Sequence, residues 1–318
     1  MPLFPVHRPT IGLSFSAQAL SLVEVRRSWF RNPCVRRLSD RPLPPGLLRP
    51  SPSELNVTDV EALVGEVRAL KESSRIRAVA VSLPDRCTQI ALFEFETLPQ
   101  QKADCEAVLR WRFQQDLNSS GGDMRLVYRA FRASGAAATP ESQGAVAQRV
   151  LVAAIRQDIL AQYEQVCEAA GLLPVSVGFT TLQLFDLWRP VMTRAAELFF
   201  ARRTDDQFTF IAVRHGHPIF LRLKPVRPAT ANLSEELLGT LQFFEDQYPP
   251  QSEGSDARTA PLFLLDSVEE QPTVLESVGD QSRQVEVIHT PWQTLPFTGI
   301  SSAPSFTGLS ALASVMAR

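Results

Sequence analysis

The sequence is poor in the residues and motifs that announce chemistry. It holds four histidines, four cysteines and three tyrosines in 318 residues. None of Cys34, Cys87, Cys105 and Cys167 is spaced as a CxxC pair, so neither a zinc site nor a redox motif is signalled. Isolated cysteines of this kind behave as small buried hydrophobes. His215 and His217 are alternate residues, which share one face of a strand. The RHGHP context surrounds them with turn residues and reads as a hairpin tip rather than a metal site. GxSxG, the phosphate loop GxxxxGKS/T, GxGxxG and HExxH are all missing. The acid pairs Glu94/Glu96 and Glu235/Glu236 read as solvated faces, so no catalytic and no metal residues are assigned. No apolar run reaches the roughly 18 residues that span a bilayer. Prolines in MPLFPVHRP interrupt the apolar core that a signal peptide requires. A cytoplasmic location is expected. The formal net charge of -2 gives no general reason to expect nucleic acid as a partner.

What is present is an ordinary globular composition, 44% hydrophobic and 21% charged, in a chain long enough for two domains. Ile11 to Arg26 predicts two short strands around a tight turn, and Trp29 to Leu38 a third. A proline-rich connector, RPLPPGLLRPSPSE, follows. Val60, Leu63, Val64, Val67 and Leu70 recur at helical spacing behind capping residues at Asn56 to Asp59. Ile76 to Leu83 reads as a buried strand stopped by Pro84-Asp85.

A second α/β unit comes next: strand Gln89–Phe95, helix Lys102–Leu117, strand Met124–Ala133, strand Arg149–Ile155 and helix Gln157–Ala170, with Gly171 as a left-handed cap. The stretch from Ser134 to Gln148 reads as a loop. Val175 to Phe179 is a strand that rejoins the first unit, and a helix is expected from about Thr181 to Ala201. The second half is read from the charged break Arg202 to Asp206. It continues with a hairpin over Phe208–Val213 and Ile219–Leu223, a helix over Ser234–Gln247 and strands at Leu262–Leu265 and Val285–Ile288. A helix is expected between Gln271 and Gly279, then irregular chain, and a last helix over Leu309–Arg318. The halves begin alike, which suggests a duplicated fold.

Two surfaces stand out. In helix 102–117, Cys105, Val108, Leu109 and Phe113 form one apolar stripe, and Trp111 lies well off it. A tryptophan off the core face is either an interface anchor or packed beneath a neighbouring unit. Arg110, Trp111, Tyr128 and Phe131 are the candidate partner-binding residues, on a unit whose sheet offers an edge or face to an extended peptide. The stretch Arg26 to Arg49 holds seven arginines and one acid, Asp40. It reads either as a membrane-surface patch or, preferably, as a solvated strand and connector.

The order of elements, and local matches along most of the chain, resemble the actin-like fold of the type IV pilus assembly protein PilM. IGLSFSAQALSLVEV resembles that family's opening hairpin. AVAVSLPDRCTQIALFEFETLP, DCEAVLRWRFQQDL and RVLVAAIRQDILAQYEQVCEAAGLLPVSV resemble its strand-turn-strand, inserted helix and strand-helix-strand return. FTFIAVRHGHPIFLR, LLGTLQFFEDQYP and GLSALASVMAR resemble the second hairpin, its helix and the closing helix. The resemblance implies a two-lobed α/β, actin-like (ribonuclease H-like) fold. The first lobe would cover 1–200 with an inserted α+β subdomain at about 86–171, and a reduced second lobe would cover 201–318. It implies a scaffold beneath the inner membrane that binds the cytoplasmic tail of a bitopic protein, PilN, and other pilus assembly proteins. The cytoplasmic domain of the type II secretion protein GspL is similar in fold, so a secretion component is one alternative. A divergent ATPase or sugar-kinase-like enzyme on the same fold is another.

Active members of such folds hold phosphate and metal with Asp-x-Gly in the first hairpin. The glycine lets backbone approach the phosphates, and the aspartate serves the metal or its waters. Here Ser14 and Ser16 stand at those positions. In the second hairpin Asp205 is followed by Phe208, Phe210 and Ile211 with no glycine, and LFLLDSVEEQ replaces the glycine-rich adenosine motif. Three losses together predict a pseudo-ATPase with no bound cofactor. Ser14, Ser16 and Asp205 then read as plain turn residues.

Overall fold

The computed structural model describes residues 9–27, 33–71, 77–117, 123–132, 148–192, 197–204, 207–226, 233–248, 260–265, 285–287, 298–299 and 304–316. The first sheet contains β1 (Ile11–Phe15), β2 (Ala19–Arg26), β3 (Cys34–Pro42), β4 (Ala78–Leu83) and β8 (Leu173–Phe179), in the order β3-β2-β1-β4-β8. The hairpin strands pair antiparallel; β1-β4 and β4-β8 pair parallel. The second sheet contains β9 (Glu197–Arg203), β10 (Gln207–Arg214), β11 (His217–Pro225), β12 (Leu262–Leu265) and β13 (Val285–Val287), ordered β11-β10-β9-β12-β13 with the same alternation of antiparallel and parallel pairs. The second sheet repeats the first. Between β4 and β8 a third sheet is inserted, β5 (Gln89–Phe95), β6 (Met124–Arg132) and β7 (Gln148–Arg156), in the order β5-β7-β6.

Helix α1 (Val60–Lys71) starts where the Asp59 carboxylate accepts the Ala62 amide at 2.9 Å, and it buries Leu63, Val64, Val67 and Leu70. Helix α3 (Gln157–Ala169) ends at Gly171, whose φ of +75° lets the Gly171 and Leu172 amides turn back onto the carbonyls of Glu168 and Cys167. Together α1 and α3 cover the Ile11, Leu13, Val79 and Val81 face of the first sheet. On the inserted unit, α2 (Lys102–Leu117) lays Cys105, Leu109 and Phe113 on Phe93, Val150 and Val152. Helix α5 (Leu233–Gln247) packs Leu237, Leu241 and Phe244 on the second sheet. The β10-β11 hairpin turns through His215 and Gly216, both at positive φ, as a two-residue primed turn does.

The two large sheets share a core. Helices α4 (Thr180–Met192) and α6 (Phe306–Met316) bring Leu184, Trp188, Leu309 and Leu312 against Val23 and Val25 of the first sheet and Phe200, Ile211 and Phe263 of the second. Gly12 lets α6 settle on β1, because a Cβ there would stand 2.0 Å from the Ala311 carbonyl oxygen. Beneath α6 runs a row of small polar residues across the sheet, Asp40-Ser21-Ser14-Ser82-Gly178 in register.

Two expectations are corrected. The helix expected from Thr181 to Ala201 ends at Met192, and Glu197–Arg203 is a central strand. Its Phe200 faces α4 and α6, while Phe199 and Ala201 face α5. A strand buried on both sides is continuously apolar and lacks the period that separates strand from helix. Phe208, Phe210 and Ile211 stand buried in β10, in the hairpin expected over Phe208–Val213. The third strand runs Cys34–Pro42 rather than from Trp29, which lies outside the described residues. The loop expected over Ser134–Gln148, all but its last residue, and the helix expected at Gln271–Gly279 lie outside them as well.

Candidate functional site

Ligands of open α/β sheets bind outside the carboxyl ends of the parallel strands. Here those ends belong to β1, β4 and β8 in one sheet and β9 and β12 in the other, and residues immediately beyond or at them meet between the sheets. Asp85 follows β4, Thr180 and Thr181 follow β8, and Arg202 is near the end of β9, opposite Leu265 of β12. The Asp85 carboxylate accepts the Thr181 amide at 2.9 Å and the Thr181 hydroxyl at 2.6 Å. The Arg202 Nη1 donates to both the Asp85 carboxylate and the Thr181 Oγ1. Both side chains of the ion pair are buried, at 6% and 4% exposure. Phe306, the first residue of α6, places its ring 4.4 Å from the guanidinium carbon. Thr180 donates to the Leu83 carbonyl at 2.9 Å and lies 3.0 Å from the Ser82 hydroxyl. The junction between the two sheets therefore holds a protein cation already matched to a protein anion and capped by an aromatic face.

The three positions read against phosphate loops fall differently. Ser14 is a buried residue of β1, inside the polar row beneath α6. Ser16 closes its own turn: its hydroxyl accepts the Ala19 amide and donates to the Ala19 carbonyl, each at 2.9 Å. Asp205 lies outside the described residues.

The partner candidates separate across the inserted sheet. Alternation along β6 sends Met124, Leu126 and Tyr128 toward α2 and Arg125, Val127, Arg129 and Phe131 to the opposite side. On the α2 side, Arg110 donates to the Met124 carbonyl at 2.9 Å, and Trp111 is 56% exposed. Tyr128 hydrogen-bonds the Cys105 thiol, which raises its phenol above the ordinary value. On the other side, Phe131 is buried against the His217 ring at 5.5 Å, and Arg129 lies over it at 5.5 Å. Phe131 thus joins the inserted sheet to β11. Sequence reasoning passed over two residues on this side. Val127 is 57% exposed, and Asp186 of α4 stands 4.0 Å from Arg189. Burial raises the Asp186 carboxyl above its ordinary value, and Arg189 and Arg129 partly oppose that rise. Writing out the β6 alternation would have separated the two faces.

The described arginines of the arginine-rich stretch divide between internal contacts and solvent, with Arg26, Arg36 and Arg49 exposed. Arg27 donates to the Val315 carbonyl, Arg37 to the Leu70 carbonyl and the Ser39 hydroxyl, and Arg41 pairs with Glu66.

No protein-family model and no curated protein matches the sequence. Among solved structures, the chain is similar to the PilM-PilN type IV pilus biogenesis complex, with a TM-score of 0.73 at 19% identity over 96% of this chain and 98% of that one. It is similar also to a Bacteroides thetaiotaomicron protein with an actin-like ATPase fold, at a TM-score of 0.53 and 10% identity over 96% and 95% of the two chains. The cytoplasmic domain of EpsL, an inner membrane component of the type II secretion system of Vibrio cholerae, aligns at 0.48 and 12% identity over 97% and 95%. The chain has an actin-like fold, and the likeness to PilM read from its sequence extends over nearly its full length.

Proposed function

We propose that this protein is a cytoplasmic scaffold of a type IV pilus assembly platform, binding the cytoplasmic tail of a PilN-like bitopic inner-membrane protein and turning over no ATP. In this reading it has two actin-like lobes, divided near residue 200, with the unit at about 86–171 inserted in the first, and it meets the membrane peripherally through its partner. The observation that carries the reading is the match, over 96% of this chain, to the PilM-PilN type IV pilus biogenesis complex. The matched Asp85–Arg202 pair in the cleft supports the loss of ATP chemistry, since a metal-phosphate ligand would have to displace a buried cation that is already paired.

The exposed side of β6 suits an extended tail. It offers a strand edge that is unpaired among the described residues, an apolar contact at Val127 and cations at Arg125 and Arg129. The test is capture of the tagged protein from gently solubilised membranes of its source. Co-purification of a single-pass protein, abolished by deleting its cytoplasmic tail, is the expected result. Val127→Glu abolishes capture while leaving the melting temperature of the scaffold unchanged, because the side chain is exposed. Recovery of cytosolic small-molecule substrates in place of a membrane protein would overturn the reading.

A further inference from the structure

The Asp85–Arg202–Thr181 cluster adds polar contacts between the two large sheets to the apolar core that α4 and α6 share between them. Asp85 and Thr181 belong to the first sheet and the helix that leaves it; Arg202 belongs to the second sheet; Phe306 belongs to the terminal helix that lies between them. The cluster sits at the carboxyl ends of the parallel strands of both sheets. Its groups are few, charged or strongly polar, and almost fully withdrawn from water. In such surroundings an ion pair is weakly screened and costly to break singly.

We propose that Arg202 is a built-in tether that holds the two sheets closed without a ligand, its guanidinium supplying the cross-link that a bound cation and phosphate would supply in a nucleotide-operated relative of this fold. The inference rests on the reading of the cleft as free of nucleotide turnover and goes beyond it. That reading says which reaction is absent; the tether says what the cleft does, which is to hold one fixed arrangement of the two sheets. A scaffold of this kind does not open and close with a nucleotide cycle. Thr181 is part of the device, because its hydroxyl accepts from Arg202 while donating to Asp85, and its amide also points at Asp85. The aromatic face of Phe306 extends it to α6.

Amide hydrogen exchange on the full chain tests this, with Arg202→Met removing the charge at nearly constant length. The expected result is faster exchange in 78–88, 197–203 and 306–316, on the order of a hundredfold, with the inserted strands 89–95 and 148–156 unchanged. Thr181→Val keeps both charges and removes the bridging hydroxyl; it gives a smaller rise in the same three segments, and it serves alone if Arg202→Met does not fold. A larger radius of gyration for Arg202→Met in small-angle scattering is the second expected sign. Unchanged exchange in both variants, or a rise shared equally by the inserted strands, overturns the tether. A MgATP arm separates the two ideas. Stabilisation of the unaltered protein by MgATP overturns the nucleotide-free reading and the tether with it. No stabilisation, together with unchanged exchange in both variants, overturns the tether alone.

Discussion

Gly12 has no freedom to acquire even a methyl group. Its Cβ would meet a backbone carbonyl of α6 at 2.0 Å, with Ser314 Oγ and Val315 Cγ2 also inside 3.0 Å. Helix and strand would have to part for it. Gly12→Ala is expected to cost about 1–3 kcal/mol, read as a lower urea midpoint at constant slope. Asp186 makes the opposite kind of statement, about protons rather than volume. Burial raises its carboxyl in the folded state, so between the ordinary carboxylate value and the raised one the folded chain holds the extra proton. Its contribution to stability is complete below the ordinary value and is lost as pH rises through the raised one. Replacement by Asn removes that dependence. Urea unfolding from pH 3 to pH 7 should therefore show Asp186→Asn gaining on the parent as pH rises, and a constant difference would contradict the burial of this carboxyl.

The elements differ in how well they can be read beforehand, and the reason is the range of the forces that form them. Helix α2 and strands β5 and β12 match their expected bounds residue for residue, because each carries its own period or its own stops. The apolar stripe of α2 also has the depth expected of it, with Leu109 at 0% exposure and Trp111 at 56%. Leu109→Ala should cost about 2–5 kcal/mol and Trp111→Ala less than about 0.5 kcal/mol in the same urea assay. Equal losses would mean that Trp111 is packed. Strand β9 was not legible. Its identity comes from neighbours on both faces, and the run Leu198 to Ala201 carries no period of its own. The cleft was half legible. The serines at 14 and 16 are visible as departures from a pattern. The pairing of Asp85 with Arg202 joins common residue types 117 positions apart, and nothing local marks either of them.

Among the described residues, two sheets repeat one pattern, share helices α4 and α6 and meet at the Asp85–Arg202 pair, with a third sheet inserted in the first. That arrangement predicts indifference to nucleotide. A ligand present at 100 times its dissociation constant adds about 2.7 kcal/mol to the stability of the protein it binds. MgATP is expected to leave the thermal midpoint of this protein where it is, and a rise that follows MgATP concentration would refute that expectation.

The seat of α6 also bears on how the chain is made. Synthesis runs from the amino end, and the Arg27 side chain bonds the Val315 carbonyl across 288 positions. While the ribosome is still adding the second sheet, Ile11 to Phe15 has its hairpin partner, but α6 is not yet made and cannot cover Gly12 and Ser14. One row of the face it will cover is small and mostly polar, Asp40, Ser21, Ser14, Ser82 and Gly178, and beside that row stand Val23 and Val25. Serine rather than leucine along that row reduces the apolar surface an unfinished chain shows to other unfinished chains. The small residues that let the last helix in also narrow what is exposed before it arrives.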